Sequence, residues 1–243
     1  MEKYRNLILC EGETDQALIG SYLEATAGWG YLKKKSDFPF QEEKISAYQK
    51  DENNTLGIWQ VGGNDFSHAI DVILEGAKKD NVVDNIAIVT DHDDQDAEQS
   101  RPQAILNQFS SSLGIGALMK ENYLNKWSSI SYNNVFGSAV IRFCYLLVPL
   151  EEVGALETFM MNSLSEQSPE KESVISQAKT FIRDFPSEIY LKERREKVKA
   201  ELGISLSVFS PDRVFTTMKE LIDSVSWGDF TTANAQFERL QEL

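Results

Sequence analysis

Apolar residues in the first 160 positions fall into short continuous runs, each followed by a stretch at helical spacing. Leu7 to Cys10 is the first run, closed by Gly12, and Leu18, Ile19, Tyr22 and Leu23 then share one helical face. Leu56 to Val61 is the second, closed by Gly62-Gly63, with Phe66, Ala69, Ile70, Ile73 and Ala77 marking the next helix. Ile86 to Thr90 is the third and runs straight into Asp91-His92-Asp93-Asp94-Gln95-Asp96, with Ile105, Leu106, Phe109 and Leu113 beyond it. Ala139 to Val148 is the longest, ended by Pro149, and Leu156, Phe159, Met160 and Leu164 begin a fourth helix. Four buried strands alternating with helices predict an α/β fold with a mainly parallel four-stranded sheet and right-handed crossovers. Gly28 to Asn54 shows no clear period and is expected to be an irregular insertion or small hairpin. Ser168-Pro169 and Ser210-Pro211 each place a capping residue before a proline at the first helical position, and the sequence between them is helical in period. The chain is therefore expected to comprise an α/β domain over residues 1–160 and a helical extension over 161–243 packed on it.

Charge narrows the partners. With 38 acidic and 24 basic residues the formal charge is −14, which repels nucleic acid unless metal ions or a local basic face compensate. Cys10 and Cys144 each lie inside an apolar run, so buried thiols are expected, and neither a disulfide framework nor a cysteine zinc cage is available. No run of about 18 apolar residues exists and the start does not read as a signal peptide, so a soluble cytoplasmic protein without membrane contact is expected. Trp29, Trp59, Trp127 and Trp227 lie in separate elements, as packing anchors do. Lys33 to Lys35 and the alternating charges of Lys192 to Lys199 read as solvated faces.

In an open parallel sheet, ligands gather outside the carboxyl ends of the strands. The first strand ends in Glu11-Gly12-Glu13-Thr14-Asp15, the third in Asp91, Asp93, Asp94 and Asp96, and the fourth leads to Glu151, Glu152 and Glu157. Carrying the strand alternation past Thr90 puts Asp91 and Asp93 on one side and turns His92 away, exposed opposite the site. Clustered carboxylates repel unless a cation sits among them, and hard oxygen donors select Mg²⁺, Mn²⁺ or Ca²⁺. The competing reading is that such acids are solvated loop residues or helix N-terminal charges.

Taken together, LILCEGETD (Leu7 to Asp15), VGG (Val61 to Gly63) and IAIVTDHDD (Ile86 to Asp94) resemble a Toprim domain, over about residues 5 to 160. With GALET (Gly154 to Thr158), the chain is most similar to the Toprim part of the overcoming-lysogenization-defect (OLD) nucleases and to small stand-alone Toprim proteins. The resemblance implies a Glu plus Asp-x-Asp site for Mg²⁺ or Mn²⁺. It makes Glu11 a general acid/base and metal ligand, Asp91 and Asp93 metal ligands, and Asp15 a further acid. Glu157 matches a late glutamate for a second metal, and Lys197 or Lys199 matches a transition-state cation. The implied activity is nuclease-like phosphodiester hydrolysis of DNA or RNA. The alternative is a non-catalytic or partner-dependent metal- or phosphate-binding module in DNA maintenance or phage defence. No G-x-x-x-x-G-K-[ST] motif occurs, so the ATPase function that OLD nucleases carry would need a separate partner. A haloacid-dehalogenase-type phosphatase is discounted because its Asp-x-Asp follows the first strand. Tyr132 and Tyr145 lie in no strand-cleaving module, and Tyr145 sits within an apolar strand.

Overall fold

The computed structural model describes residues 4–33, 44–63, 65–77, 83–92, 95–134, 137–150, 152–186, 189–213 and 216–243. The four predicted runs form β1 (Tyr4–Cys10), β4 (Asn54–Gln60), β5 (Asn85–Asp91) and β7 (Gly137–Val148). They are mutually parallel, with β1 between β4 and β5, and β5 between β1 and β7. Three antiparallel strands widen the sheet: β2 (Gly30–Tyr31), β3 (Ile45–Gln49) and β6 (Ser128–Asn134). The sheet is thus mixed and seven-stranded, in the order β2-β3-β4-β1-β5-β7-β6, and larger than the four strands expected. The described part of Gly28 to Asn54 is an edge meander, its backbone held by pairing to β4 and not by a hydrophobic period. β6 was not anticipated because only Ile130 and Tyr132 are apolar and buried in it, between exposed serines.

Helices cover both faces. α1 (Glu13–Ala27) and α4 (Leu156–Ser165) pack on one face, α2 (Ser67–Ala77) and α3 (Gln95–Leu113) on the other. Strand alternation sorts the core accordingly. Ile8, Cys10, Ala87, Val89, Cys144 and Leu146 meet Leu18, Tyr22, Phe159 and Met160, whereas Leu7, Leu9, Ile86, Ile88 and Phe143 meet Ile70, Leu106 and Phe109. Both thiols are buried and unbridged. Trp29, Trp59 and Trp227 are buried as anchors, and Trp127 is partly buried with its Nε1 donating to the Arg239 carbonyl.

The last third is helical: α5 (Pro169–Asp184), α6 (Arg194–Phe209), α7 (Met218–Asp223) and α8 (Thr231–Phe237), with a single 3₁₀ turn between α6 and α7 and another between α7 and α8. Ser168 caps α5 as expected, its hydroxyl accepting from Lys171 N–H. Ser210 instead ends α6, its N–H donating to Leu206, and Pro211 opens only one 3₁₀ turn. Ile175, Leu202, Phe237 and Leu240 join the cluster that contains Ile8. Gln236 bonds the end of β7 twice, donating to the Leu147 carbonyl (2.8 Å) and accepting from Leu150 N–H (2.7 Å). Tyr22 Oη donates to Asn234 (3.1 Å) and Arg142 pairs with Glu242 (3.3 Å). Among the described residues no helix is long and apolar enough to cross a membrane.

Gly20 of α1 packs on buried Tyr48 of β3, and a Cβ there would fall 2.8 Å from the ring Cζ, where the ring has no room to swing. Gly20→Ala is expected to cost about 1–3 kcal/mol by overpacking. Gly203→Ala in α6, where a Cβ meets open space, is expected to gain up to about 1 kcal/mol from helix propensity. Urea melts of the two variants check the contrast.

Candidate functional site

The turn from β1 into α1 is fixed from the neighbouring strand. Val61 N–H donates to the Cys10 carbonyl (2.9 Å), and both Gly62 and Gly63 N–H donate to the Glu11 carbonyl (3.0 and 2.9 Å). Bringing two donors onto one carbonyl uses φ of +86° and +131°, conformations that favour glycine. Glu11 is thereby seated between β1 and β5, where the order of the parallel strands reverses.

Its carboxylate reaches across to β5. Glu11 Oε1 accepts from Asp91 N–H (3.2 Å) and from Arg101 Nη1 (3.1 Å), and Arg101 also approaches the Asp91 carbonyl (3.4 Å). The ion pair is largely shielded, with side chains 13% and 21% exposed for Glu11 and Arg101 respectively. Asp15, in the first turn of α1, is buried and accepts from Gly12 N–H (2.9 Å). Burial, reinforced by the negative charge of Glu11 and to a smaller extent Glu157, pushes the Asp15 carboxyl up to about 7, against the opposing effect of backbone N–H bonds. Burial, and after it the charges of Asp15 and Glu11, hold the Cys10 thiol well above its ordinary value, so it is not a nucleophile at neutral pH.

The segment after β7 closes the site. Leu156 N–H, opening α4, donates to Asp91 Oδ1 (3.0 Å), and Gly154 N–H donates to the His92 carbonyl (2.7 Å). A side chain at Gly154 would fall 3.0 Å from Thr158 and 3.1 Å from Pro149, so glycine permits this approach. Glu157 follows, and Lys199 of α6 lies 3.8 Å from it at the rim, half exposed. Lys197 is exposed on the same helix.

Glu11, Asp15, Asp91 and Glu157 therefore gather at one edge with Lys199 beside them, while Asp93, Asp94 and Glu151 lie outside the described residues. His92 is buried, not exposed as the alternation suggested. Pairing with β7 continues past Asp91, His92 N–H donating to Val148, and its Nδ1 lies 3.1 Å from the Pro149 carbonyl. Tyr145 is buried against Thr90 (2.9 Å), away from solvent. Arg101 belongs to no motif in the sequence. It is the only basic residue between Lys79 and Lys120, a stretch with seven acids, and that isolation was the available signal.

The donors are all carboxylate oxygens, which suits a hard divalent cation in kind. The raised pKa of Asp15 reflects its burial first and the negative charge of Glu11 second. Among the described residues no three acidic, histidine or cysteine side chains are grouped closely enough to hold an ion as they stand. Arg101 occupies one oxygen of Glu11 and the Leu156 amide one oxygen of Asp91.

These features define an α/β protein with an acid-lined sheet edge. The family described as "Protein of unknown function (DUF3226)" matches residues 5–236, and the chain belongs to that family. The search of curated proteins returned no match. Among solved structures, a hypothetical protein from Pyrococcus horikoshii OT3 is similar at 15% identity over 90% of this chain and 95% of that one, with a TM-score of 0.44.

Asp91→Ala is expected to lower stability by about 1 kcal/mol through loss of the acceptor at the start of α4. Asp91→Asn keeps an acceptor and relieves repulsion with Glu11, so it should equal or exceed the parent in chelator-treated melts. Asp15 supplies a pH signature. Its folded pKa lies above the unfolded value, so protonation favours the fold. That advantage is complete below about pH 4 and is lost as pH rises through about 7. Asp15→Asn should therefore gain on the parent across this window, by about 1–3 kcal/mol at pH 8. Denaturant midpoints against pH in EDTA check this; parallel curves would contradict it.

Proposed function

We propose that this chain carries out Mg²⁺- or Mn²⁺-dependent phosphoryl transfer on nucleic acid, hydrolysing a phosphodiester in the way its resemblance to Toprim nucleases implies. The observation supporting this reading is convergence. Acids from segments near residues 11, 91 and 157 meet at the edge where an open parallel sheet takes its ligands. Glu11, Asp91 and Asp93 would hold the ion, with Asp15 and Glu157 around them. When bound, the ion supplies positive charge against the negative charge that develops on the phosphoryl oxygens.

The protein's own groups do the rest. Glu11, fixed through its carbonyl, orients a water or accepts its proton. Asp15, with its pKa near neutrality, holds or releases a proton beside it. Arg101 brings a guanidinium to the same edge and stabilises anionic oxygens, and Lys199 adds charge at the rim.

A second reading is a partner-dependent metal- or phosphate-binding module, working with a separate protein such as an ATPase. It is favoured by Arg101, an internal cation already seated on Glu11. Calorimetry with Mn²⁺ and cleavage assays on single-stranded, duplex and supercoiled substrates separate the readings. The nuclease should bind Mn²⁺ at millimolar levels or below, melt higher in its presence, and lose cleavage in EDTA and in Glu11→Gln. Binding without cleavage selects the second reading, and absence of binding removes the metal site from both.

A further inference from the structure

One segment of this acidic protein carries a local excess of basic side chains. Between Ile189 and Lys199 five basic residues stand against two acidic ones, in a chain of formal charge −14. They occupy the connection into α6 and its first turns. One of the two acids, Glu196, turns back onto the N–H groups of Lys192 and Glu193 (2.7 and 3.0 Å).

α5 and α6 run antiparallel, because Lys171 at the start of α5 lies over the ring of Phe209 at the end of α6 (5.2 Å). The end of α5 and the start of α6 therefore form a common tip. Four large apolar side chains are uncovered there: Phe181, Phe185, Ile189 and Tyr190, the last two 76% and 75% exposed. The rings of Phe181 and Phe185 lie 5.6 Å apart.

This tip is joined to the candidate site. Arg194 Nη2 donates to the Val153 carbonyl (3.0 Å). A cavity of 290 Å³ opens between Gly154 and Ala155 on one side and Glu193, Arg194, Arg195 and Val198 on the other. Leu156 and Glu157, next in the chain, already belong to the acidic edge. A solvated helix face explains alternating charges, but not a cavity lined by two arginines or aromatic rings left uncovered at the tip.

The combination calls for an anionic ligand with flat apolar faces. Guanidinium groups bind phosphate oxygens through paired N–H donors, and exposed aromatic side chains stack on unpaired bases. At 290 Å³ the cavity lies just below the roughly 300–1,000 Å³ of small-molecule sites. It suits a backbone phosphate, with the bases left outside on the tip. A duplex keeps its bases stacked inside and offers the aromatic tip nothing.

We propose that Arg194 and Arg195 hold a backbone phosphate of a single-stranded nucleic acid whose bases stack on Phe185 and Tyr190, leading the strand to the acidic edge. This rests on the nucleic-acid reading of that edge and narrows its substrate to single strands.

The test is fluorescence anisotropy in EDTA, where no cleavage runs, with a labelled oligothymidine longer than about 16 nucleotides, the upper site size of single-strand-binding folds. The parent should bind the single strand more tightly than a duplex of equal length. Arg194→Glu with Arg195→Glu should weaken binding about tenfold or more and flatten the slope of log K against log salt by at least about 0.7, for the lost phosphate contact. Tyr190→Ala and Phe185→Ala should each weaken binding several-fold without altering that slope. Circular dichroism melts confirm that each exposed-site variant folds.

Absence of binding by the parent, preference for duplex, or indifference to the paired arginine substitutions overturns the proposal. So does sedimentation showing a parent dimer that Tyr190→Ala converts to monomer, since the tip would then join two copies of this chain. A parent that binds through these arginines but cleaves nothing with Mn²⁺ keeps the strand site and removes the nuclease reading. Cleavage of a single strand unaffected by the arginine substitutions does the reverse.

Discussion

The carboxylate of Glu11, bonded at once to the Asp91 backbone and to the Arg101 guanidinium, joins two central strands at the one edge where the sheet is crowded with like charge. Clustered acids in a half-buried place are costly, and the surrounding structure can be read as the means of tolerating them. The paired glycines after β4 hold the Glu11 carbonyl and so fix its backbone, while the Asp91 N–H and Arg101 hold its side chain. The start of α4 takes part of the charge of Asp91. Asp15, buried beside Glu11, keeps its proton far above the ordinary range, through burial first and the charge of Glu11 second.

Both helical layers contribute to that edge. Arg101 comes from α3 on one face of the sheet, while Asp15 and Glu157 come from α1 and α4 on the other. A shift of either layer against the sheet would change the balance of charge around Glu11. The helical extension reaches it as well, through Lys199 beside Glu157 and Arg194 on the loop before α4. The extension is part of the surroundings of the acids and shares their hydrophobic core.

The parallel strands were legible because each is buried on both faces and so reads as an unbroken apolar run, as Leu7 to Cys10 and Ile86 to Thr90 do. The edge strands were not. β6 buries Ile130 and Tyr132 among serines and asparagines, and the pairing of β2 and β3 rests on backbone hydrogen bonds that side-chain pattern does not encode. At the site, Glu11, Asp15, Asp91 and Glu157 were legible because strand ends followed by acids are a positional signal. The role of Arg101 depends on how α3 rotates against β5, which spacing alone does not give. His92 failed for a related reason: alternation assumed a free strand end, whereas pairing with β7 continues through it.

The bonds that tie the last helical turns to the sheet span long stretches of chain. Gln236 holds β7 across 89 residues, Trp127 meets Arg239 across 112, and Tyr22 meets Asn234 across 212. Phe237 and Leu240 also complete the cluster over Ile8 and Tyr22. Contacts of such separation close late, because large loops must be ordered before the contacts repay the lost entropy. During synthesis the cluster over Ile8 and Tyr22, which α1 and α4 begin, stays incomplete until residues beyond 230 have left the ribosome. For most of its time as a nascent chain the protein thus presents apolar side chains of that cluster, and chaperone capture or misassembly belongs to that interval.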